Sequence, residues 1–235
     1  MGLFDMFGRS DENVEVTRSA LDEAHDPTGA DDAITALIRQ LSAVGIDGVG
    51  PFEGAEATAA KALGKSGGNV DAAIDKVIGA HVLTGAAGGF VTSLGGFVTM
   101  AVAMPVNVFE FYVLATRMTA SVASLRGYDL ADPRIRTAVL LTLVGSQSVE
   151  ILRKAGIPVQ GSPTLQLAST ALPKSALMIV QKAVGFRIVR GVGERLFARA
   201  GKFVPVVGGV IGAGIDFGMM RHIGDQARGQ FPAKS

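Results

Sequence analysis

Three histidines, at positions 25, 81 and 222, are the side chains best suited to proton transfer near neutral pH or to metal binding, and they lie far apart in the sequence. No H-E-x-x-H pair sets two of them on one helical turn. The chain has no cysteine, which excludes thiol catalysis, thiolate zinc sites and iron–sulfur clusters. Gly64-Lys65-Ser66 looks like the end of a P-loop, in which backbone N–H groups cradle phosphate while Lys and Ser hold the terminal phosphates and Mg²⁺. That motif needs Gly at position 59, where Ala59 stands, and a helical pattern precedes it in place of a strand. A helix C-terminus is the simpler reading. Gly191 and Gly193 begin a dinucleotide fingerprint, but Leu196 fills its third glycine position and no strand leads in. Asp129 and Asp132 sit three apart in a loop between helices, where capping explains them. The sequence calls for no metal and no cofactor, and an enzyme would have to assemble its groups through the fold.

Charge carries a clearer signal. Between Lys182 and Lys202 stand six basic residues, Lys182, Arg187, Arg190, Arg195, Arg199 and Lys202, against the single acid Glu194. At 100° per residue those from Arg187 onward cover one half of a helix, with Val189, Val192, Leu196 and Phe197 mainly on the other. Such a basic amphipathic helix suits anionic head groups, and equally suits the solvated face of a bundle helix that pairs with acids elsewhere in the chain. The net charge of +1 hides a split. Residues 1–76 carry 14 acids against 6 bases, and residues 77–235 carry 7 against 16. With aromatic residues at 6% and no recognisable module, the basic stretch does not point to nucleic acid.

The elements that must position these residues read as helices throughout. The chain has 235 residues, 48% apolar and 18% charged, with a mean hydropathy of +0.37, enough for a sizeable core and too apolar for disorder. Thr28 opens a first helix in which Ile34, Leu37, Ile38, Leu41 and Val44 share a face, and Gly45 and Gly48 are expected to stop it. Pro51 opens a second through Leu63, and Asn69 caps a third whose Val70, Ile74, Val77, Ile78 and His81 share a face. His81 reads as a hydrogen-bonded core residue. Between Lys76 and Glu110 lie 33 residues without formal charge, long enough to span a bilayer but interrupted by six glycines, so a buried glycine-rich hairpin is preferred to a spanning or re-entrant segment. A helix to Leu125 closes at Arg126-Gly127. Asp132 and Pro133 open another that is expected to run through Ile151, Ser162-Pro163 and Pro173 open two more, and Pro205 opens the last. Met1 to Ser10 is too short for a signal peptide, and Met6 breaks the myristoylation pattern at Gly2; Leu3, Phe4 and Phe7 make at most a weak hook.

From about Gly68 to Phe231 the chain resembles the bacterial EcsC family. The marks are Gly89-Phe90-Val91-Thr92-Ser93-Leu94-Gly95-Gly96, Pro105-Val106-Asn107, Arg117, Gly127-Tyr128-Asp129 and Gly185-Phe186-Arg187. The C-terminal signature runs from Pro205 through Gly208, Gly209, Gly212, Gly214 and Asp216, followed by Ile223-Gly224 and Ala227. Two residues before Pro105 many members carry Asp where this chain has Ala103. The resemblance implies a helical bacterial protein at or near the membrane, in a family named for a gene beside those of an ABC transporter, and it supplies no catalytic residues. Gly208, Gly212, Gly214 and Gly218 would let a neighbouring helix approach closely. Asp216 among them is expected to pair with Arg117 or Arg187; the alternative is a polar ligand site lined by Asn107, Arg117, Tyr128 and Asp216.

The expected architecture is an all-α, compact, glycine-rich helical bundle over residues 28–235, preceded by a flexible acidic tail at residues 1–27. The expected role is that of a non-enzymatic membrane-associated or lipid-binding protein, cytoplasmic and peripheral at the inner face of the cell membrane, with integral insertion as the alternative. Its expected partner is an anionic membrane surface or lipid, with a homo-oligomer or a transporter as further partners and no nucleic acid. An adaptor regulating an ABC-type transporter through protein contacts is the rival role, and a hydrolase on a lipid-like substrate the third.

Overall fold

The computed structural model describes residues 29–50, 52–87, 106–159, 161–163, 166–167, 170, 172–200 and 208–234; the side chains of 29–32, 86–87, 106–107, 192–200 and 208–216 lie outside that description. Within it every regular element is helical, and the fold is all-α as expected. Helix α1 (Gly29–Gln40) continues as a wider π-helical stretch, Leu41–Asp47. Then come α2 (Ala55–Gly64), α3 (Val70–Ala87), α4 (Val106–Leu125), α5 (Pro133–Thr142), α6 (Ser148–Lys154), α7 (Lys174–Ala200) and α8 (Gly208–Gln230).

Helix α4 is the axis of the bundle. Every residue from Phe109 to Ala123 is buried, because α2, α3, α5, α8 and the π-helical stretch all pack on it. A helix enclosed on all sides reads as apolar all round, and this one does so apart from Glu110, Arg117 and a few small hydroxyls. Those hydroxyls are satisfied locally where they can be: Thr116 Oγ1 donates to the Tyr112 carbonyl at 2.7 Å, and Ser121 Oγ to the Ala55 carbonyl at 3.0 Å. The remaining core comes from one face of each neighbour, including Leu37 and Leu41 of α1 and its continuation, Ile74 and Val77 of α3, and Val180 and Val184 of α7.

Several helix ends form where the sequence marks them, although α2 begins at Ala55 after Gly54 as its N-cap and not at Pro51. Asn69 Oδ1 accepts the Ala72 N–H at 2.9 Å, and Asp132 Oδ1 accepts the Arg134 N–H at 2.8 Å ahead of Pro133 at the first helical position. After α4, Gly127 takes φ +84°, the Tyr128 N–H reaches the Ala123 carbonyl, and the Gly127 N–H reaches that of Ser124. That closure turns Tyr128 back into the core, where its ring meets Phe231 edge-on with centroids 5.3 Å apart.

Two further expectations change. Gly45 does not stop the first helix; it lies inside the π-helical stretch, and a Cβ there would stand 2.8 Å from Thr116 Cβ. The glycine is a notch that lets this stretch lie directly on α4, and the stop falls at Gly48, φ +79°. The single helix expected from Pro133 through Ile151 is broken, since Gly145 adopts φ +62° and a 3₁₀ turn, Gly145–Gln147, separates α5 from α6. The acidic tail, most of the uncharged hairpin (residues 88–105) and the Pro205 opening lie outside the described residues.

Candidate functional site

Two buried basic groups lie on the axis helix and on α3, which packs against it. Arg117, on α4, is buried, and its Nη2 donates to the Val44 carbonyl at 2.8 Å, one residue before the Gly45 notch. Burial pulls its pKa below the usual guanidinium value, and the carboxylate of Glu53 acts in the opposite sense. His81, on α3, is buried as expected; Nδ1 lies 2.8 Å from the Val77 carbonyl, and since a carbonyl only accepts, Nδ1 carries the proton. Burial holds its pKa below the ordinary imidazole value, the bond to Val77 pulls the other way, and the Arg117 charge lowers it further. Arg117 anchors α4 to the π-helical stretch, and His81, bonded within its own helix, is a group whose protonation the fold resists.

The residues expected to line one polar site are not all brought together. Tyr128 follows the end of α4, and the rise from Arg117 to Leu125 separates it from Arg117 by about 12 Å. It serves the C-terminal closure instead: Lys234 Nζ lies 5.6 Å from its ring centroid, the Lys234 N–H donates to the Arg126 carbonyl, and burial raises the phenol pKa. Asn107 lies on the first turn of α4 and Asp216 on α8, with both side chains outside the described residues. Gly208, Gly212 and Gly214 are in the first two turns of α8, where side-chain surroundings are likewise not described. Gly218 is exposed, and among the described residues a Cβ there would meet nothing within 4 Å. Tight helix packing is found instead at Gly224, whose added Cβ would stand 2.7 Å from Ile78 Cγ2, and at Gly185, at 2.7 Å from Ile34 Cγ2.

Of the basic stretch, Lys182 and Arg187 are half-buried and Arg190 is exposed. Arg187 Nε donates to Gln147 Oε1 in the 3₁₀ turn and so bridges α7 to the α5–α6 junction. Arg195 and Arg199 belong to the last third of α7, with side chains outside the described residues, and Lys202 lies beyond it.

Sequence reasoning passed over Glu110, a carboxyl only 4% exposed and seven residues before Arg117 on the same face of α4. The signal was its place as the charge that ends the uncharged run. It also passed over the fact that Gly64-Lys65-Ser66-Gly67-Gly68 spells G-x-S-x-G. The structure puts this motif at a helix C-terminus, where the Gly68 N–H closes on the Leu63 carbonyl. That is not the strand-to-helix turn that raises a nucleophile. Among the described residues, no three His, Asp or Glu side chains gather to hold a metal. A cavity of about 10 Å³ between Thr142, Ser148, Gln226 and Gln230 is the size of one water molecule. No described helix is long and apolar enough to cross a membrane.

The EcsC protein family model matches residues 56–232, three quarters of the chain, from the first turn of α2 to the residue after Phe231. The chain belongs to the EcsC family. The match takes in the axis helix with Arg117, the Tyr128 closure and all of α8, and leaves out α1 and its π-helical continuation. Neither the curated proteins nor the solved structures give a significant match to this EcsC-family chain.

Proposed function

We propose that this EcsC-family protein is a non-enzymatic, peripheral partner of an anionic membrane surface, or of its lipid head groups, at the cytoplasmic face. The observation that carries this reading is the sorting of charge along the bundle. Arg126 at the end of α4 pairs with Asp71 at the start of α3, at 2.9 Å, so these helices run antiparallel. Gly224 packs on Ile78 and Met220 on Gly85, so α8 is antiparallel to α3 as well. One end of the bundle is therefore clasped by Arg126–Asp71 and Arg228–Asp75. Away from that end lie the last turns of α3, the first turn of α4 and the first turns of α8, which belong to the uncharged runs of 33 residues between Lys76 and Glu110 and 13 between Lys202 and Asp216.

Seven residues join the end of α7 at Ala200 to the start of α8 at Gly208, so Arg195, Arg199 and Lys202 stand close in the chain to the uncharged opening of α8. Leu83 of α3, 68% exposed, and Phe217 of α8, 40% exposed, add apolar surface on the same side of the clasp. Apolar, glycine-rich segments beside clustered Lys and Arg suit the boundary between acidic head groups and acyl chains. Each such basic group contributes about 1 kcal/mol at an anionic surface. The triple reversal R190E/R195E/R199E is expected to abolish flotation with phosphatidylglycerol vesicles at low salt while leaving the helical circular-dichroism signal intact. Unchanged flotation rejects the reading. The rival, an adaptor that acts on an ABC-type transporter through protein contacts, draws on the same exposed Leu83 and Phe217 and would leave the protein indifferent to vesicle charge.

A further inference from the structure

Among the described residues the large apolar side chains left exposed are Leu83, Met178 and Phe217. Met178 stands on α7, whereas the other two share the antiparallel pair α3–α8. Contacts along that pair fix the levels of its residues. Asp75 meets Arg228, Ile78 meets Gly224 and Gly85 meets Met220, so Leu83 comes level with the Met220–Arg221 turn and Phe217 lies about one turn farther from the clasp. Phe217, Arg221 and Arg228 follow one stripe of α8, and Asp75, Gly79 and Leu83 follow one stripe of α3. The Asp75–Arg228 ion pair sets both stripes on the same outer side.

Charge changes in one direction along this side. Asp75, Asp225 and Arg228 stand at the clasp. Beyond them the exposed positions of the two helices, from Gly79 to Thr84 and from Phe217 to His222, carry the cation Arg221 and no carboxylate. Thr84 Oγ1 donates to the Ala80 carbonyl at 2.9 Å, so its hydroxyl brings no unmet donor to an apolar medium. A carboxylate-free tip with one guanidinium behind an exposed aromatic ring complements acidic head groups over acyl chains.

The spacing fits as well. At 1.5 Å per residue Phe217 stands about 6 Å beyond Arg221 and about 16 Å beyond Arg228. Amphipathic segments sink about 5–10 Å into the boundary between head groups and acyl chains. At that depth Phe217 reaches acyl chains, Leu83 and the stem of Arg221 lie at the boundary with the guanidinium among phosphates, and the clasp stays in water. Laid flat, the same side would press Asp75 and Asp225 against anionic head groups.

We infer that the α3–α8 tip enters an anionic bilayer end-on, with Phe217 and Leu83 as the inserted side chains and Arg221 as their phosphate contact. The inference rests on the proposed membrane role and adds to it the element that inserts, its depth and its direction of approach.

The chain has no cysteine, so a single introduced cysteine reports alone. Full-chain Leu83→Cys, Phe217→Cys and Met178→Cys proteins, each carrying the environment-sensitive label NBD, are mixed with phosphatidylglycerol vesicles at low salt. Flotation scores binding, and emission scores depth. In floated protein the labels at 83 and 217 are expected to shift to the blue and to be quenched by lipids spin-labelled near the top of the acyl chain, more strongly at 217. The label at 178 is expected to keep its emission in water. Floated protein whose labels at 83 and 217 stay in water overturns the inference and leaves the membrane role standing. Failure of every form to float, the unlabelled parent included, rejects the membrane role and the inference with it. A blue shift at 83 and 217 that grows with protein concentration in the absence of lipid assigns the tip to a second copy, which also overturns the inference. Without any label, the double variant Leu83→Asn/Phe217→Asn, altered only at exposed positions, is expected to lose about tenfold in vesicle affinity with its helical circular-dichroism signal unchanged. Affinity equal to that of the parent overturns insertion by these two side chains.

Discussion

His81 shows what burial does to a single titratable side chain in this bundle. Its folded pKa is depressed, by desolvation first and by the Arg117 charge in addition, so the unfolded chain takes up a proton at a higher pH than the native one does. Stability from this group is fully present above the unfolded value near 6.5 and is lost as pH falls below it toward the depressed folded value. The thermal midpoint is expected to fall between about pH 7.5 and about pH 5.5, and His81→Gln, which keeps a donor for the Val77 carbonyl, is expected to lessen that fall. Identical pH profiles for the two proteins would remove His81 as the cause. The sequence identified His81 as a core histidine from its place on an apolar helical face, and named Arg117 only as a partner for Asp216 or a member of a polar ligand site. It did not place the two near each other. That proximity depends on how α3 lies on α4, and the carbonyl that receives Arg117 belongs to a π-helical stretch that no local pattern announces.

At the level of elements, glycines decide which helices touch. Gly79 and Gly224 both lie in helix interiors of the α3–α8 pair, and the same substitution is expected to act in opposite directions at the two. Among the described residues a Cβ at exposed Gly79 meets nothing within 4 Å, so Gly79→Ala gains helix propensity and is expected to stabilise by about 1 kcal/mol. A Cβ at Gly224 would stand 2.7 Å from Ile78 Cγ2, a branch that cannot swing away without a change of rotamer, and Gly224→Ala is expected to cost about 1–3 kcal/mol. Denaturant midpoints of the two variants check both signs, and a Gly224→Ala protein as stable as its parent would show that α3 and α8 part easily. The same residue type explains what sequence could and could not deliver for the fold. Asn69, Asp132 and Gly127 terminate helices through contacts within a few residues, and these ends were legible. Gly45 was misread and Gly145 passed over because a glycine's letter carries neither the sign of its φ nor the neighbour that needs the space. One proved to be a docking notch inside a helix, and the other a left-handed break in what reads as a continuous apolar repeat.

For the whole molecule, the proposed membrane role divides into lying on a bilayer and crossing it. About 20 apolar residues suffice to cross, and the run from 77 to 109 exceeds that in length. Its first eleven residues, however, are the C-terminal part of α3, whose Val77, Ile78 and Val82 are spent on the bundle core, and its last four open the axis helix α4. What remains for lipid is a stretch of 18 residues, 88–105, joined at its two ends to α3 and α4, which the ion pair Arg126–Asp71 holds antiparallel. A segment so anchored would have to enter and leave a bilayer from one side, and its glycine-rich backbone would need protein around it to satisfy the polar groups. The apolar character of this end is accordingly expected to serve surface contact. Membranes that carry the protein are expected to release it into the supernatant at alkaline carbonate pH, and the protein is expected to purify without detergent as one monodisperse species. Retention in the carbonate pellet, together with protease protection around Phe97, would reverse the assignment and make residues 88–105 a re-entrant segment supported by α3, α4 and α8.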